Sequence, residues 1–146
     1  MLSTPLADLL DLFATVTDPT ERVNLLISYA DQFREVPADV AVRPFPRERL
    51  VPYCESEAYV WVLKQPDGTL RLHFAVENPS GISAKALASI LQAALNGQRP
   101  EAVEALPEDL VERLFRQNIS MGKGMGLKAL VQAVQALARR AKKPAS

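Results

Sequence analysis

The side chain best suited to chemistry in this chain is that of Cys54, the only cysteine among 146 residues. It stands in a short polar break between two apolar runs, two positions after Pro52, and an aromatic-rich segment follows it. A thiolate is a strong nucleophile, and functional side chains concentrate on such connections. A lone cysteine is, however, more often a small buried hydrophobe. The residues alone therefore leave two interpretations open: a packed, inert thiol or a nucleophile presented at a loop tip.

A hydrolase or peroxidase built on this thiol would need a neighbouring base, and His73 is the only histidine. We expect His73 on a strand, facing solvent opposite the apolar side, and nothing in its spacing from Cys54 supports a dyad. Glu55 and Glu57 lie in the polar break around the thiol, and we interpret them as loop residues rather than as an acid–base pair. One cysteine and one histidine also exclude the usual Cys/His zinc patterns, so we expect no metal site.

A glycine-rich stretch, residues 120–126, shares its composition with phosphate-binding loops. A Walker loop places serine or threonine after its lysine, whereas Gly124 follows Lys123 in this chain. The stretch therefore predicts a tight connection into the last helix. Glycine permits both the close approach and the positive φ that such a connection needs.

Bulk composition excludes several classes of protein. Lysine and arginine number 17, as do aspartate and glutamate, so the chain lacks the global basic surface of a nucleic-acid binder. No apolar run approaches the roughly 18 residues that span a bilayer, and no secretory signal is visible. A single cysteine suits the reducing cytosol. We expect a cytoplasmic protein with neither nucleic-acid nor membrane partners.

Two helices are predicted before the cysteine and three after the strands that follow it. Thr4 is expected to cap the first helix, and Asp18, followed by a proline at the first helical position, to cap the second. Ser83 is expected to cap the third. The apolar spacing in the second helix predicts a buried stripe formed by Val23, Leu26, Ile27 and Ala30.

Alternating side chains after the cysteine predict a β-hairpin that turns at Pro66-Asp67-Gly68 and has one core-facing side. A short edge strand is expected near residues 47–51, giving a small antiparallel sheet of about three strands. Helices precede and follow this sheet in the chain and must cover it. The predicted fold class is α+β, in a single domain over residues 1–146.

The order of these elements resembles that of the SufE family of iron–sulfur-assembly proteins. Residues 50–61 hold a Val-x-x-Cys-x-Ser segment followed by an apolar strand with tyrosine and tryptophan. Asp67-Gly68, Leu72-His73-Phe74, residues 83–88 and residues 124–130 also follow the order found in that family. The resemblance covers essentially the whole chain and implies a SufE/IscU-like α+β fold.

This resemblance implies that Cys54 takes persulfide sulfur from a SufS-type cysteine desulfurase, stimulates that enzyme, and passes the sulfur to an iron–sulfur scaffold complex. Such an accessory protein is not an enzyme and has no cofactor of its own, because the pyridoxal phosphate belongs to the desulfurase. A monomer or weak homodimer is expected. The residues expected to form a sulfur pocket or docking surface around Cys54 are Val51, Tyr53, Glu55, Ser56, Tyr59, Lys85 and Lys123.

Residues beside the thiol depart from the usual residues of the family. Tyr53 stands where glycine is common, and Glu55 stands where glutamine is common. Two other functions stay open. One is a stand-alone thiol-dependent peroxidase or hydrolase that uses Cys54 and turns over without a partner. The other is a non-catalytic interaction domain in which Cys54 belongs to the core.

Overall fold

The computed structural model describes residues 3–116 and 121–142, and within them it confirms the predicted α+β class. Helices come before and after one antiparallel hairpin. The elements are α1 (Thr4–Thr15), α2 (Pro19–Asp31), a 3₁₀ turn (Arg47–Arg49), β1 (Ala58–Lys64), β2 (Leu70–Val76), α3 (Ile82–Leu95), α4 (Pro100–Glu104), α5 (Leu110–Phe115) and α6 (Met121–Lys142).

The predicted count of about three strands is wrong, because the described residues contain a two-stranded sheet. In place of an edge strand, the chain forms the 3₁₀ turn and then a single bridge between Leu50 and Tyr59. The N–H of Leu50 donates to the carbonyl of Arg47 at 3.1 Å, so it is not free to extend a ladder. Prolines at positions 46 and 52 also lack the donors that a strand would need.

The helix starts are partly as predicted. Asp18 caps α2 by accepting a hydrogen bond from the N–H of Glu21 at 3.0 Å. The cap of α1 is Ser3 rather than Thr4, and its hydroxyl accepts from the N–H of Leu6 at 3.2 Å. Helix α3 begins after Gly81 and has no side-chain cap, so the prediction for Ser83 is wrong.

The hairpin is buried on both faces at the end that adjoins the cysteine loop. One face, carrying Val60 and Phe74, packs into the main core against the largely buried helix α3. The opposite face, on which His73 is expected to face solvent, carries Tyr59 and Trp61 and is covered by the chain segment from Val36 to Leu50. The hairpin therefore lies between two packed apolar clusters.

The buried stripe predicted for α2 is wrong in part. Leu26 is buried, but Val23 and Ile27 are exposed, and the neighbouring Arg22 is buried instead. The Arg22 guanidinium donates to the carbonyls of Phe13, Val16 (2.9 Å), Arg113 (2.9 Å) and Leu114 (2.8 Å). It thus satisfies carbonyl groups at the ends of α1 and α5, where helices leave acceptors without intrahelical partners.

Candidate functional site

Cys54 lies in a loop that is closed by hydrogen bonds on both sides of the thiol. The N–H of Val51 donates to the carbonyl of Ala58 at 2.8 Å, and the N–H of Glu57 donates to the carbonyl of Cys54 at 3.1 Å. Tyr53 has a φ of 62° and Glu57 a φ of 52°, and residues other than glycine rarely adopt this region of backbone conformation. Two strained residues therefore flank the thiol at close range.

The end of β2 holds this loop from one side. The N–H of Glu77 donates to the carbonyl of Glu57 at 3.2 Å, and the N–H of Asn78 donates to the carbonyl of Ser56 at 3.2 Å. The amide side chain of Asn78 also reaches the carbonyl of Glu55 at 3.4 Å. These contacts come from residues about twenty positions away in the chain, so the tertiary structure positions the loop.

The first turns of α6 hold the loop from the other side. A Cβ on Gly126 would lie 2.9 Å from the carbonyl oxygen of Tyr53 and 3.2 Å from the Cα of Cys54. The predicted close approach is therefore confirmed at Gly126. The predicted positive φ is not, because Gly124 and Gly126 lie inside the helix. Residues 117–120, which include Ser120, lie outside the described residues.

The half-buried thiol opens into a small cavity of about 90 Å³. The cavity is lined by Cys54, Glu55, Ser56, Asn78, Ser80, Gly81, Ser83, Gly126 and Leu127. A water molecule occupies about 30 Å³ in the liquid, so the cavity has room for one further sulfur atom on the thiol. Its wall at Gly81 and Ser83 is the uncapped start of α3, where the helix dipole favours a negative charge.

The structure brings together only some of the residues predicted to surround the thiol. Glu55 and Ser56 line the cavity with Cys54, Val51 is buried in the core, and Tyr53 extends into solvent. Tyr59 lies on the opposite face of the hairpin, where its ring centroid is 5.3 Å from that of Phe45.

Of the two lysines predicted for this surface, Lys85 does not line the cavity. The ammonium of Lys85 lies over the ring of Phe33, 5.9 Å from its centroid. Lys123 belongs to α6, but its side chain lies outside the described residues. The sequence interpretation misses Asn78, Gly81 and Ser83 as cavity residues. The signal for them is the break between β2 and α3, which the sequence pattern assigns only to a turn and a cap.

His73 is half-buried beside its strand partner Trp61 rather than fully exposed. Burial lowers its pKa, the charge of Arg71 lowers it further, and Asp39 opposes the shift. Within the described side chains, the Cys54 cavity is lined by no histidine, lysine or arginine. The described residues also contain no cluster of three or more histidine, cysteine or carboxylate side chains that could hold a metal ion.

None of the helices in the described ranges has the length and apolarity needed to cross a membrane. A family model described as SufE, an Fe-S metabolism associated domain, matches residues 7–138. Two proteins named as uncharacterized SufE-like proteins, from the CDC 1551 / Oshkosh and H37Rv strains of Mycobacterium tuberculosis, are each 30% identical over 146 residues. Those alignments cover 96% of this chain and 95% of each relative.

A solution structure of a hypothetical protein from Thermus thermophilus superposes with a TM-score of 0.77 at 27% identity, covering 97% of this chain and 98% of that one. Sequence and fold agree over nearly the whole chain, and the family model links the domain to iron–sulfur metabolism. The chain therefore belongs to the SufE family.

Proposed function

We propose that this protein accepts sulfur from a SufS-type cysteine desulfurase, activates that enzyme, and passes the sulfur to an iron–sulfur scaffold complex. The observation that carries the proposal is the position of Cys54. Its half-buried thiol adjoins a cavity that can enclose one additional sulfur atom. A role in iron–sulfur metabolism is the general function of the family, and a sulfur-carrying thiol is the specific form that this site supports.

The transfer is a thiol exchange between two proteins. The Cys54 thiolate attacks the outer sulfur of a cysteine persulfide on the desulfurase, forming a new S–S bond as the old one breaks. The partner's cysteine leaves as a thiolate, and Cys54 becomes the persulfide. Sulfur and its electrons move together, so the step needs no external oxidant or reductant. Delivery to the scaffold repeats the same exchange with a scaffold thiol as the nucleophile.

The loop around Cys54 supports this chemistry in two ways. Ser56 and Ser83 line the cavity and can place hydroxyl groups beside the persulfide, and the positive end of the α3 dipole also lies there. The positive φ values of Tyr53 and Glu57 are strained, so the loop keeps this conformation only while its contacts with neighbouring elements are in place. A partner that replaces those neighbouring contacts can therefore draw the thiol outward.

In this proposal the protein is an accessory factor rather than an enzyme. Pyridoxal phosphate and the cleavage of free cysteine belong to the desulfurase, and this chain contributes the accepting thiol. We assign it to the cytoplasm as a monomer or weak homodimer. A stand-alone thiol enzyme finds less support, because no histidine is found among the described side chains that line the Cys54 cavity.

The test is incubation with the cognate desulfurase and ³⁵S-labelled cysteine, followed by mass spectrometry of the peptide that contains Cys54. We expect one added sulfur on Cys54, which dithiothreitol removes. In Cys54→Ser, whose hydroxyl is nearly the size of the thiol, we expect no label and no stimulation of the desulfurase. The proposal is wrong if wild-type Cys54 gains no sulfur and Cys54→Ser stimulates the enzyme normally. Turnover of peroxide or an ester substrate without any desulfurase would instead support the stand-alone enzyme.

A further inference from the structure

An apolar groove lies on the surface where helices α2, α3 and α5 meet. Val23 and Ile27 of α2 form one side, Ile82 and Ser83 at the start of α3 form the other, and Phe115 of α5 forms the floor. The groove encloses about 120 Å³, and none of the described side chains that line it is charged. An apolar side chain is the occupant that such a lining favours, because burying a charge there would leave it unpaired.

Most of the exposed large apolar side chains lie either at the groove or next in sequence to residues of the sulfur cavity. Ile82 is 53% exposed, Ile27 42% and Val23 39%. Tyr53 at 80% and Met125 at 59% stand next in sequence to Cys54 and Gly126, which line the sulfur cavity. These five are most of the eight large hydrophobic side chains that are exposed in the described residues. An apolar concentration of this kind marks a contact surface more often than scattered exposed residues do.

The groove adjoins the sulfur cavity, because Ser83 lines both. From Ser83 the groove extends along α3 to Ala86, about one helical turn or roughly 5 Å. A specific protein interface covers about 800 Å² on each partner, which corresponds to a radius of roughly 16 Å. A partner that brings its own persulfide to Cys54 must therefore also cover the groove.

We infer that this groove is an anchoring site for the cysteine desulfurase, which inserts an aliphatic or aromatic side chain from the surface beside its persulfide. The inference rests on the proposed function, since sulfur transfer is what brings that partner to Cys54. A second copy of this chain is the less suitable occupant. A copy seated on Ser83 would obstruct the cavity through which the thiol has to be reached.

The experiment measures the dissociation constant of the desulfurase for Ile27→Glu and for a matched control, Leu12→Glu. Leu12 is also 42% exposed on a helix, but it lies outside the groove. Interface anchors replaced by charge weaken binding strongly, so we expect Ile27→Glu to raise Kd about tenfold or more. We expect Leu12→Glu to stay within about twofold of the wild type. Circular dichroism and thermal unfolding check that both variants are folded, and Val23→Gln replaces Ile27→Glu if that variant does not fold.

The inference is overturned if folded Ile27→Glu binds the desulfurase as tightly as the wild type. It is also overturned if sedimentation shows that the wild type dimerises through the groove while Ile27→Glu is monomeric with an unchanged Kd. Transfer of labelled sulfur to wild-type Cys54 is a separate measurement. Transfer without an effect of Ile27→Glu on binding refutes the groove alone. Loss of binding in Ile27→Glu, with no sulfur on wild-type Cys54, refutes the proposed function and leaves the groove as the docking site.

Discussion

The two connections on either side of strand β1 differ in how their conformation is determined. The turn after β1 takes its positive φ at Gly68, where φ is 87° and glycine is the favoured residue. Most of its hydrogen bonds are local: the N–H of Gly68 donates to the carbonyl of Gln65 at 2.9 Å, and that of Thr69 donates to the Asp67 carboxylate at 3.0 Å. One longer-range bond, from Arg99 to the Asp67 carbonyl at 3.3 Å, is added to them. This turn is encoded mainly by its own residues.

The Cys54 loop before β1 takes its positive φ at Tyr53 and Glu57 instead. A non-glycine residue in that region costs about 1 kcal/mol, and such strain persists only where the surroundings determine the conformation. The surroundings here are Asn78 at the end of β2 and Gly126 in α6. The difference teaches that the hairpin turn is a local feature, whereas the cysteine loop is imposed by tertiary contacts, as is typical of functional sites.

The largest effect that separates the two connections is expected from Gly126→Ala. The new Cβ would meet the backbone of Tyr53 and Cys54 at 2.9 and 3.2 Å, so the loop has to move away from α6. Overpacking costs about 1–3 kcal/mol, and each 1.4 kcal/mol is tenfold in population. We therefore expect a thiol reagent to label Cys54 about tenfold faster or more, as measured by stopped-flow absorbance under native conditions.

The matched control for that substitution is Gly97→Ala. Gly97 has a φ of 81°, but no atom lies within 4 Å of the place that a Cβ would take, so this variant adds backbone strain far from the loop. We expect it to lower thermal stability while the labelling rate of Cys54 stays within about twofold of the wild type. Equal labelling rates in wild type and Gly126→Ala would contradict the idea that α6 holds the loop.

An intermediate effect on the free energy of unfolding is expected when glycine is removed from one connection and introduced into the other, and its sign should differ between the two. Gly68→Ala should lower the free energy of unfolding by about 1–2 kcal/mol, because alanine is strained at positive φ. Tyr53→Gly removes backbone strain, and it loses little packing because the Tyr53 side chain is largely exposed. We expect it to raise the free energy of unfolding by between zero and about 1 kcal/mol. Urea denaturation measures both. A clear loss of stability in Tyr53→Gly would show that tyrosine is not strained there.

The same contrast explains which parts of the fold are predictable from the sequence. The Pro66–Gly68 turn, the Asp18 cap and the two strands follow from local preferences, and the structure confirms them. The burial of Arg22 does not follow, since helical periodicity treats an arginine as a surface residue. Only the meeting of two helix ends provides the carbonyl groups that bind its guanidinium.

The candidate site is predictable to a smaller extent. The thiol and its position in a loop can be found in the sequence, and the family resemblance adds the expectation of a sulfur pocket. The cavity wall could not be predicted, because Ser83 and Gly126 reach Cys54 from helices that begin far along the chain. Tyr59 illustrates the converse: it is close to Cys54 in sequence, yet the pleat of β1 turns it to the other face of the hairpin.

The smallest effect concerns Asp67, and it tests whether the turn after β1 is self-contained. The hydroxyl of Thr69 donates to the Asp67 carboxylate at 2.6 Å, and together with the Thr69 N–H and the charge of Arg99 it lowers the pKa of Asp67 below its ordinary value of 3.8. The ionised carboxylate thus stabilises the fold above that ordinary value, and its contribution is lost as the pH falls through the lower, folded-state pKa. We expect the melting temperature of the wild type to exceed that of Asp67→Asn by a constant difference at pH values higher than ~5. This difference should shrink below pH 3.8. Because the turn is local, the labelling rate of Cys54 should be the same in both proteins at neutral pH. A changed rate would mean that the two ends of β1 are coupled, and a margin that grows on acidification would reverse the sign assigned to Asp67.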